Sequence, residues 1–156
     1  MQNKKPKVVI VLGMHRSGTS ALSGVLQLLG VSFGSKLIPA IRGVNDKGFF
    51  EHSEIVCLHD QLLASFGSGW MDFRPLPSGW LDSESVVSVK RKIRHIIDRD
   101  FSNTRVWAVK DPRLCVLFPV WEDILKEFNC DLKIVRVHRA PDEVVQSLNN
   151  RDDLEL

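Results

Sequence analysis

VVIVLGMHRSGTS, residues 8–20, is the stretch that decides the fold. VVIVL is an unbroken run of β-branched and aliphatic residues, the pattern of a strand buried on both faces of a parallel sheet. It predicts a strand over 7–12. Beyond it, Leu22, Val25, Leu26 and Leu29 recur at helical spacing, which predicts a helix from about 18 to 29. Between strand and helix lies a short loop carrying Gly13, His15, Arg16, Ser17, Gly18, Thr19 and Ser20. The glycines allow a tight turn and close approach to a ligand. Hydroxyls stand beside the free amides at the start of the helix, where the helix dipole favours negative charge. The loop is a candidate anion site, and a plain strand-to-helix turn is the competing reading.

The spacing of the loop, glycine, four residues, glycine, then Thr-Ser, resembles the P-loop of nucleotide kinases as far as Thr19. That motif places a lysine at this position to reach the terminal phosphates. Here the nearest cation is Arg16, ahead of the second glycine. This placement suits an anionic group smaller than, or oriented differently from, a triphosphate with magnesium.

Two downstream segments, VKDPRLCVLFPVW and VRVHRAPDEVVQSL, follow GMHRSGTSAL in order. Together the three resemble the nucleotide-binding core of sulfotransferases that use 3'-phosphoadenosine 5'-phosphosulfate (PAPS), over residues 8–148. The resemblance implies that Gly13, His15, Arg16, Ser17, Gly18, Thr19 and Ser20 hold the 5'-phosphosulfate. It implies that Arg139 and Ser147 hold the 3'-phosphate. Relatives continue through further helices to a basic loop that closes the nucleotide site, so the chain, ending in RDDLEL, is expected to be an amino-terminal portion.

Sulfuryl transfer needs a base for the acceptor hydroxyl and cations for the sulfuryl oxygens and the leaving oxygen. PAPS is then a co-substrate, and no metal is expected. Arg16 occupies the loop position where many relatives carry a lysine, and takes leaving-group stabilisation. Lys110, in VKDPR, matches a family lysine at a strand end, but the histidine that follows it in enzymes acting on phenols and alcohols is replaced by Pro112. The best substitute base is Glu51 in NDKGFFEHSE, because carbohydrate sulfotransferases use a glutamate after a short aromatic segment. Glu51 can equally cap the next helix. Asp111, His52 and His59 are reserve bases. Asp111 before Pro112 also suits a turn, Arg113 suits either an ion pair with Asp111 or the phosphosulfate, and Ser147 alone could face solvent.

The rest of the chain alternates strands and helices: apolar stripes at Ile55, Leu58, Leu62 and Phe66 and at Val86, Val89, Ile93, Ile96 and Ile97, a strand over 105–109, a helix over 119–128 with Pro119 at its start, a strand over 132–137 and a helix from Pro141. The expected fold class is α/β, a three-layer α/β/α sandwich with a mainly parallel sheet, P-loop NTPase-like, in one domain over 1–156. Leu154 and Leu156 suit the start of another helix.

With 156 residues, 44% hydrophobic and 26% charged, the chain is long enough for a core. A net charge of +2 carries no general nucleic-acid signature. Lys90, Arg91, Lys92, Arg94 and His95 read as the solvated face of an amphipathic helix. Cys57, Cys115 and Cys130 lack metal-ligand spacing and read as reduced, buried thiols. No run reaches the roughly 20 apolar residues of a membrane span. The basic start and apolar run superficially resemble a signal peptide, but His15 and Arg16 interrupt them, so the cytoplasm is the expected compartment. GSGWMDFRPLPSGWLDS, residues 67–83, carries Trp70, Phe73 and Trp80 and reads as ordinary loop packing or as a lid over an acceptor pocket. A P-loop kinase or hydrolase and a non-catalytic nucleotide-binding module stay open as alternatives. The acceptor, a small molecule or a carbohydrate, and the oligomeric state are not legible.

Overall fold

The computed structural model describes residues 5–72 and 74–152; Phe73, Leu154 and Leu156 lie outside them. The described chain is α/β. Strands β1 (Lys7–Leu12), β2 (Val106–Lys110) and β3 (Asp131–Arg136) form a parallel sheet in the order β2-β1-β3. Its helices are α1 (Thr19–Leu28), α2 (Ser53–Ser65), α3 (Glu84–Phe101), α4 (Leu114–Glu127) and α5 (Pro141–Asp152), with a short 3-10 turn at Trp80–Asp82.

β1 is central because it is the strand with no polar residue after Lys7. Val8 pairs with Trp107 on one side and Leu132 on the other, and Ile10 with Val109 and Ile134. Alternate side chains feed two apolar clusters. Val8, Ile10, Trp107 and Val109 join the stripes of α2, α3 and α4 in the larger one. Val9, Val106 and Ala108 join Leu26 of α1 with Val31, Phe33 and Phe50 in the smaller. Packing on both of its sides explains why β1 reads as a continuous apolar run, whereas β3, with Lys133 and a half-exposed Ile134, is the more open strand.

Four expectations need correction. α4 begins at Leu114, with Pro119 inside the helix rather than at its start. The apolar stripe runs through the proline, since Leu114, Leu117, Val120, Trp121 and Ile124 are all buried, and that packing outweighs the lost N–H. The cysteines are not buried: Cys57 and Cys115 are exposed and Cys130 is half-buried, all as free thiols. Cys57 sits beside the buried stripe of α2, not on it. On α1 the buried residues are Thr19 and Ser23, while Val25, Leu28 and Leu29 face outward. The basic face of α3 is only partly solvated, because Lys90 pairs with Asp123 at 2.7 Å and Arg94 with Glu127 at 2.5 Å, tying α3 to α4.

The strand order has a positional consequence. The chain leaves β1 toward β2 on one side and reaches β3 on the other, so the carboxyl ends of the strands flank a crevice at a topological switch point. The loops after β1, β2 and β3 carry residues 13–18, 111–113 and 137–140 to that end.

Candidate functional site

The loop after β1 turns where the sequence allows it. Gly13 cannot carry a side chain, because a Cβ there would lie 2.7 Å from Thr19 Cγ2 and 2.9 Å from the Val137 carbonyl oxygen. Its bareness lets the loops after β1 and β3 touch. Gly18, at φ 92°, ends the loop in the left-handed conformation and opens α1. Arg16 is also left-handed, at φ 65°, a conformation that costs a non-glycine residue of order 1 kcal/mol and that fixes where its guanidinium emerges.

That guanidinium reaches across the sheet end. Arg16 Nε donates to Ser147 Oγ at 2.8 Å, and Nη1 donates to the Val44 carbonyl at 3.2 Å. Arg139 returns the contact, donating from Nη1 to the Arg16 carbonyl at 3.1 Å and from Nε to Glu143 at 2.8 Å. Arg16, Gly18, Thr19, Ser20, Asn45, Arg139 and Ser147 line a cleft of about 220 Å³. Beside it, between the loop and α5, runs a larger groove of about 820 Å³ lined by Gly13, Ser17, His138, Arg139, Val144 and Leu148 among others. His15 turns away from the cleft, its ring edge-on to Trp70 at 4.7 Å between centroids. The aromatic segment is thereby split in use: Trp80 packs on Phe66 against the main core, while Trp70 lies against the loop after β1.

Under the cleft lies a buried ion pair. Lys110, at the end of β2, donates to Glu51 Oε1 at 2.5 Å and to Ser20 Oγ at 3.2 Å, and Asn45 Nδ2 donates to the same Ser20 oxygen at 3.0 Å. Lys110 and Glu51 are 4% and 6% exposed. Burial pushes the Glu51 carboxyl above its usual value; the Lys110 ammonium opposes this, and the nearby Asp111 charge adds to it. Glu51 is turned inward by local backbone geometry. Phe50 stands at φ 57°, and the chain on either side is pinned by hydrogen bonds from Ile38 N to the Glu51 carbonyl and from Ser53 N to the Lys36 carbonyl. Glu51 does not cap α2, whose N-cap is His52 with no side-chain cap bond.

The reserve bases are committed elsewhere. Asp111 is 1% exposed, accepts from the Arg113 backbone and guanidinium at 2.9 and 3.0 Å, and meets His59 Nδ1 at 2.7 Å. Trp121 Nε1, which can only donate, bonds His59 Nε2 at 2.9 Å, so the ring proton sits on Nδ1 and is given to Asp111. Burial alone would raise the Asp111 carboxyl, but the His59 bond and the Arg113 charge hold it well below the usual carboxylate range. Arg113 also clamps Asp60 at 2.6 and 3.0 Å, so it serves the ion-pair role and not the cleft. His52 bonds Asp100 at 2.9 Å, in the last turn of α3.

Asn45, which lines the cleft, and Val44, whose carbonyl holds Arg16, have no counterpart among the sequence-based candidates. Asn45 opens the segment NDKGFFE, but nothing local marks an asparagine six residues before Glu51 as a partner of Ser20, 25 residues upstream. Comparison of the chain with protein-family models, curated proteins and solved structures finds no match.

Proposed function

We propose that the chain is the nucleotide-binding core of a PAPS-dependent sulfotransferase, a P-loop-like three-layer α/β/α sandwich that moves a sulfuryl group to an acceptor hydroxyl. One observation carries the reading. The 2.8 Å bond between Arg16 and Ser147, 131 residues apart, joins the first and third motifs of the family resemblance around a single cleft.

The residues present fit the donor. Two guanidiniums, three hydroxyls and a side-chain amide line a cleft of about 220 Å³, roomy enough for phosphate-sized groups, and the adjoining groove has apolar walls for a nucleoside. In the reaction the acceptor oxygen attacks sulfur in line and forms the new S–O bond. The bond from sulfur to the bridging phosphate oxygen breaks, its electron pair staying on 3',5'-phosphoadenosine. The acceptor proton passes to the Glu51 carboxylate. Arg16 neutralises the leaving oxygen, and Lys110, with two N–H groups on Glu51 and Ser20, offers the third to a sulfuryl oxygen. The step as written uses no metal. Three free thiols favour a reducing compartment, in keeping with the cytoplasm.

The test is calorimetric titration with 3',5'-phosphoadenosine without metal, and with ATP and magnesium, on wild type and Arg139→Ala. Metal-free binding of the bisphosphate, weakened at least tenfold in the variant, supports the reading. Preference for magnesium ATP replaces it with a kinase or hydrolase, and binding of neither with a scaffold module.

A further inference from the structure

The sulfotransferase reading leaves the acceptor unnamed, and the outward face of α1 bears on it. Val25 is 54% exposed and Leu28 89%, an apolar surface that the helix keeps out of the core. Facing it is the segment that carries Val44, Asn45 and Phe50. Between them runs a groove of about 650 Å³ whose walls are Ala21, Gly24, Val25, Leu28, Val44 and Phe50. At one end this groove is lined by Arg16, Ser20 and Asn45, three residues that also line the anion cleft. The two spaces therefore adjoin across these shared walls, and Ser20 links both to the Lys110–Glu51 pair beneath.

The chemistry of the walls is uneven along the groove. Hydrogen-bonding groups gather at the cleft end, while Asp46 and Lys47 stand on the exposed rim, Asp46 engaged by the Gly43 N–H at 2.8 Å. The walls between are branched aliphatic side chains and the Phe50 ring. A Cβ at Gly24 would come 3.3 Å from the ring's Cζ, so the glycine lets Phe50 lie against the helix. A sugar carries hydroxyls around its ring, and those laid against Val25 and Leu28 would be left unpaired. A linear alkyl chain needs none.

We infer, on the strength of the sulfotransferase reading, that the acceptor is an aliphatic alcohol, its hydroxyl at Ser20 and Asn45 and its hydrocarbon chain along α1. From Ala21 to Leu28 the helix rises ~10 Å, about the length of an eight-carbon chain. The product is an alkyl sulfate monoester, formed with 3',5'-phosphoadenosine by the balanced step above.

The experiment titrates 1-butanol, 1-hexanol, 1-octanol and glucose into the full chain with 3',5'-phosphoadenosine present, on wild type, Val25→Asp and Leu28→Asp. Both positions are exposed, so neither variant threatens folding. Expected is an affinity that rises about fourfold per methylene up to octanol. Each variant loses at least tenfold for octanol, while titration of the bisphosphate alone is unchanged. Glucose binding tighter than octanol, or octanol affinity indifferent to both variants, overturns the acceptor class with the donor reading intact. Absence of bisphosphate binding in wild type overturns the donor reading itself and the acceptor role with it. Gel filtration decides one more outcome: a wild-type dimer that Leu28→Asp makes monomeric assigns the face to a second copy of the chain and overturns the inference.

Discussion

Two polar clusters occupy the same end of the sheet and draw on similar residue types, yet one is closed and the other open. In the closed cluster, Trp121 donates to His59, His59 to Asp111, and Arg113 to both Asp111 and Asp60, in bonds of 2.6–3.0 Å. Donors and acceptors are matched within the protein. In the open cluster, Arg16, Arg139, Asn45 and the hydroxyls of Thr19, Ser20 and Ser147 line an accessible cleft, and the carboxylates engaged nearby are Glu143 on Arg139 and Glu51 on Lys110. Donors are in excess. A matched network stiffens a fold, whereas surplus donors around a space call for an acceptor from outside. The Lys110–Glu51 pair lies between the two, buried like the first cluster and bonded to the second through Ser20.

The sharpest way to break this contrast is Asp111→Ala. It leaves the buried His59 N–H without its acceptor and Arg113 with Asp60 as its remaining carboxylate partner, and the expected loss is about 2–4 kcal/mol by urea unfolding. A loss under about 1 kcal/mol would mean the closed cluster is not a structural element at all.

Arg16 should behave in the opposite manner. Arg16→Ala is expected to weaken 3',5'-phosphoadenosine by about 10- to 100-fold in calorimetry, while unfolding free energy moves by less than about 1 kcal/mol. Arg16→Gly, which relieves the left-handed backbone at φ 65°, should lose the same affinity with stability equal to wild type or slightly higher. A large stability loss in both variants would erase the distinction between the clusters.

The third test uses pH and the pair between them. Glu51 is held above its usual 4.5, so from that value up to its folded value the native state keeps a proton that the unfolded chain has lost, and stability falls as pH rises. Asp111 is held below its usual 3.8, so its contribution is present above that value and is lost as pH falls beneath it. Glu51→Gln should flatten the upper branch, worth up to about 1.4 kcal/mol per pH unit across its window, and leave the lower branch in place. Urea midpoints from pH 3 to 7 check both. An unchanged upper branch would assign it to other groups.

The smallest effect is expected at the edge of the open region. Gly24→Ala gains up to about 1 kcal/mol of helix propensity but presses a methyl to 3.3 Å from Phe50, so the net change should lie within about 0.5 kcal/mol by thermal unfolding. A larger loss would show that Phe50 has no room to give.

These contrasts also mark what a sequence discloses. β1, the glycine loop and α1 were legible because their signals are local: a β-branched run, two glycines, hydroxyls, then a change of period. Pro119 misled for the same reason, since a proline looks like a helix start until the buried stripe on both sides of it is known. The cysteines misled through their apolar neighbours in sequence, although exposure depends on helical face. What no local signal could supply was pairing at distance. Glu51 and Lys110 are 59 residues apart, and His59 meets Asp111 across 52 and Trp121 across 62. Glu51 was legible as a candidate base, yet its burial against Lys110 follows from two chain segments meeting at one sheet end.

Ser20 has a polarity of its own. Its oxygen already accepts from Lys110 and Asn45, which fills both lone pairs and leaves the hydroxyl hydrogen as its one remaining capacity. In a P-loop the residue at this place ligates magnesium through that oxygen. Here a cation would have to evict an ammonium or an amide to do so, whereas an anionic oxygen needs only the hydrogen that the two accepted bonds leave over. Ser20 is thus a one-way contact, and a preference of the loop for a bare anion over a metal-bound one, the outcome expected of the titration, would come down to which atom of a single hydroxyl is still free.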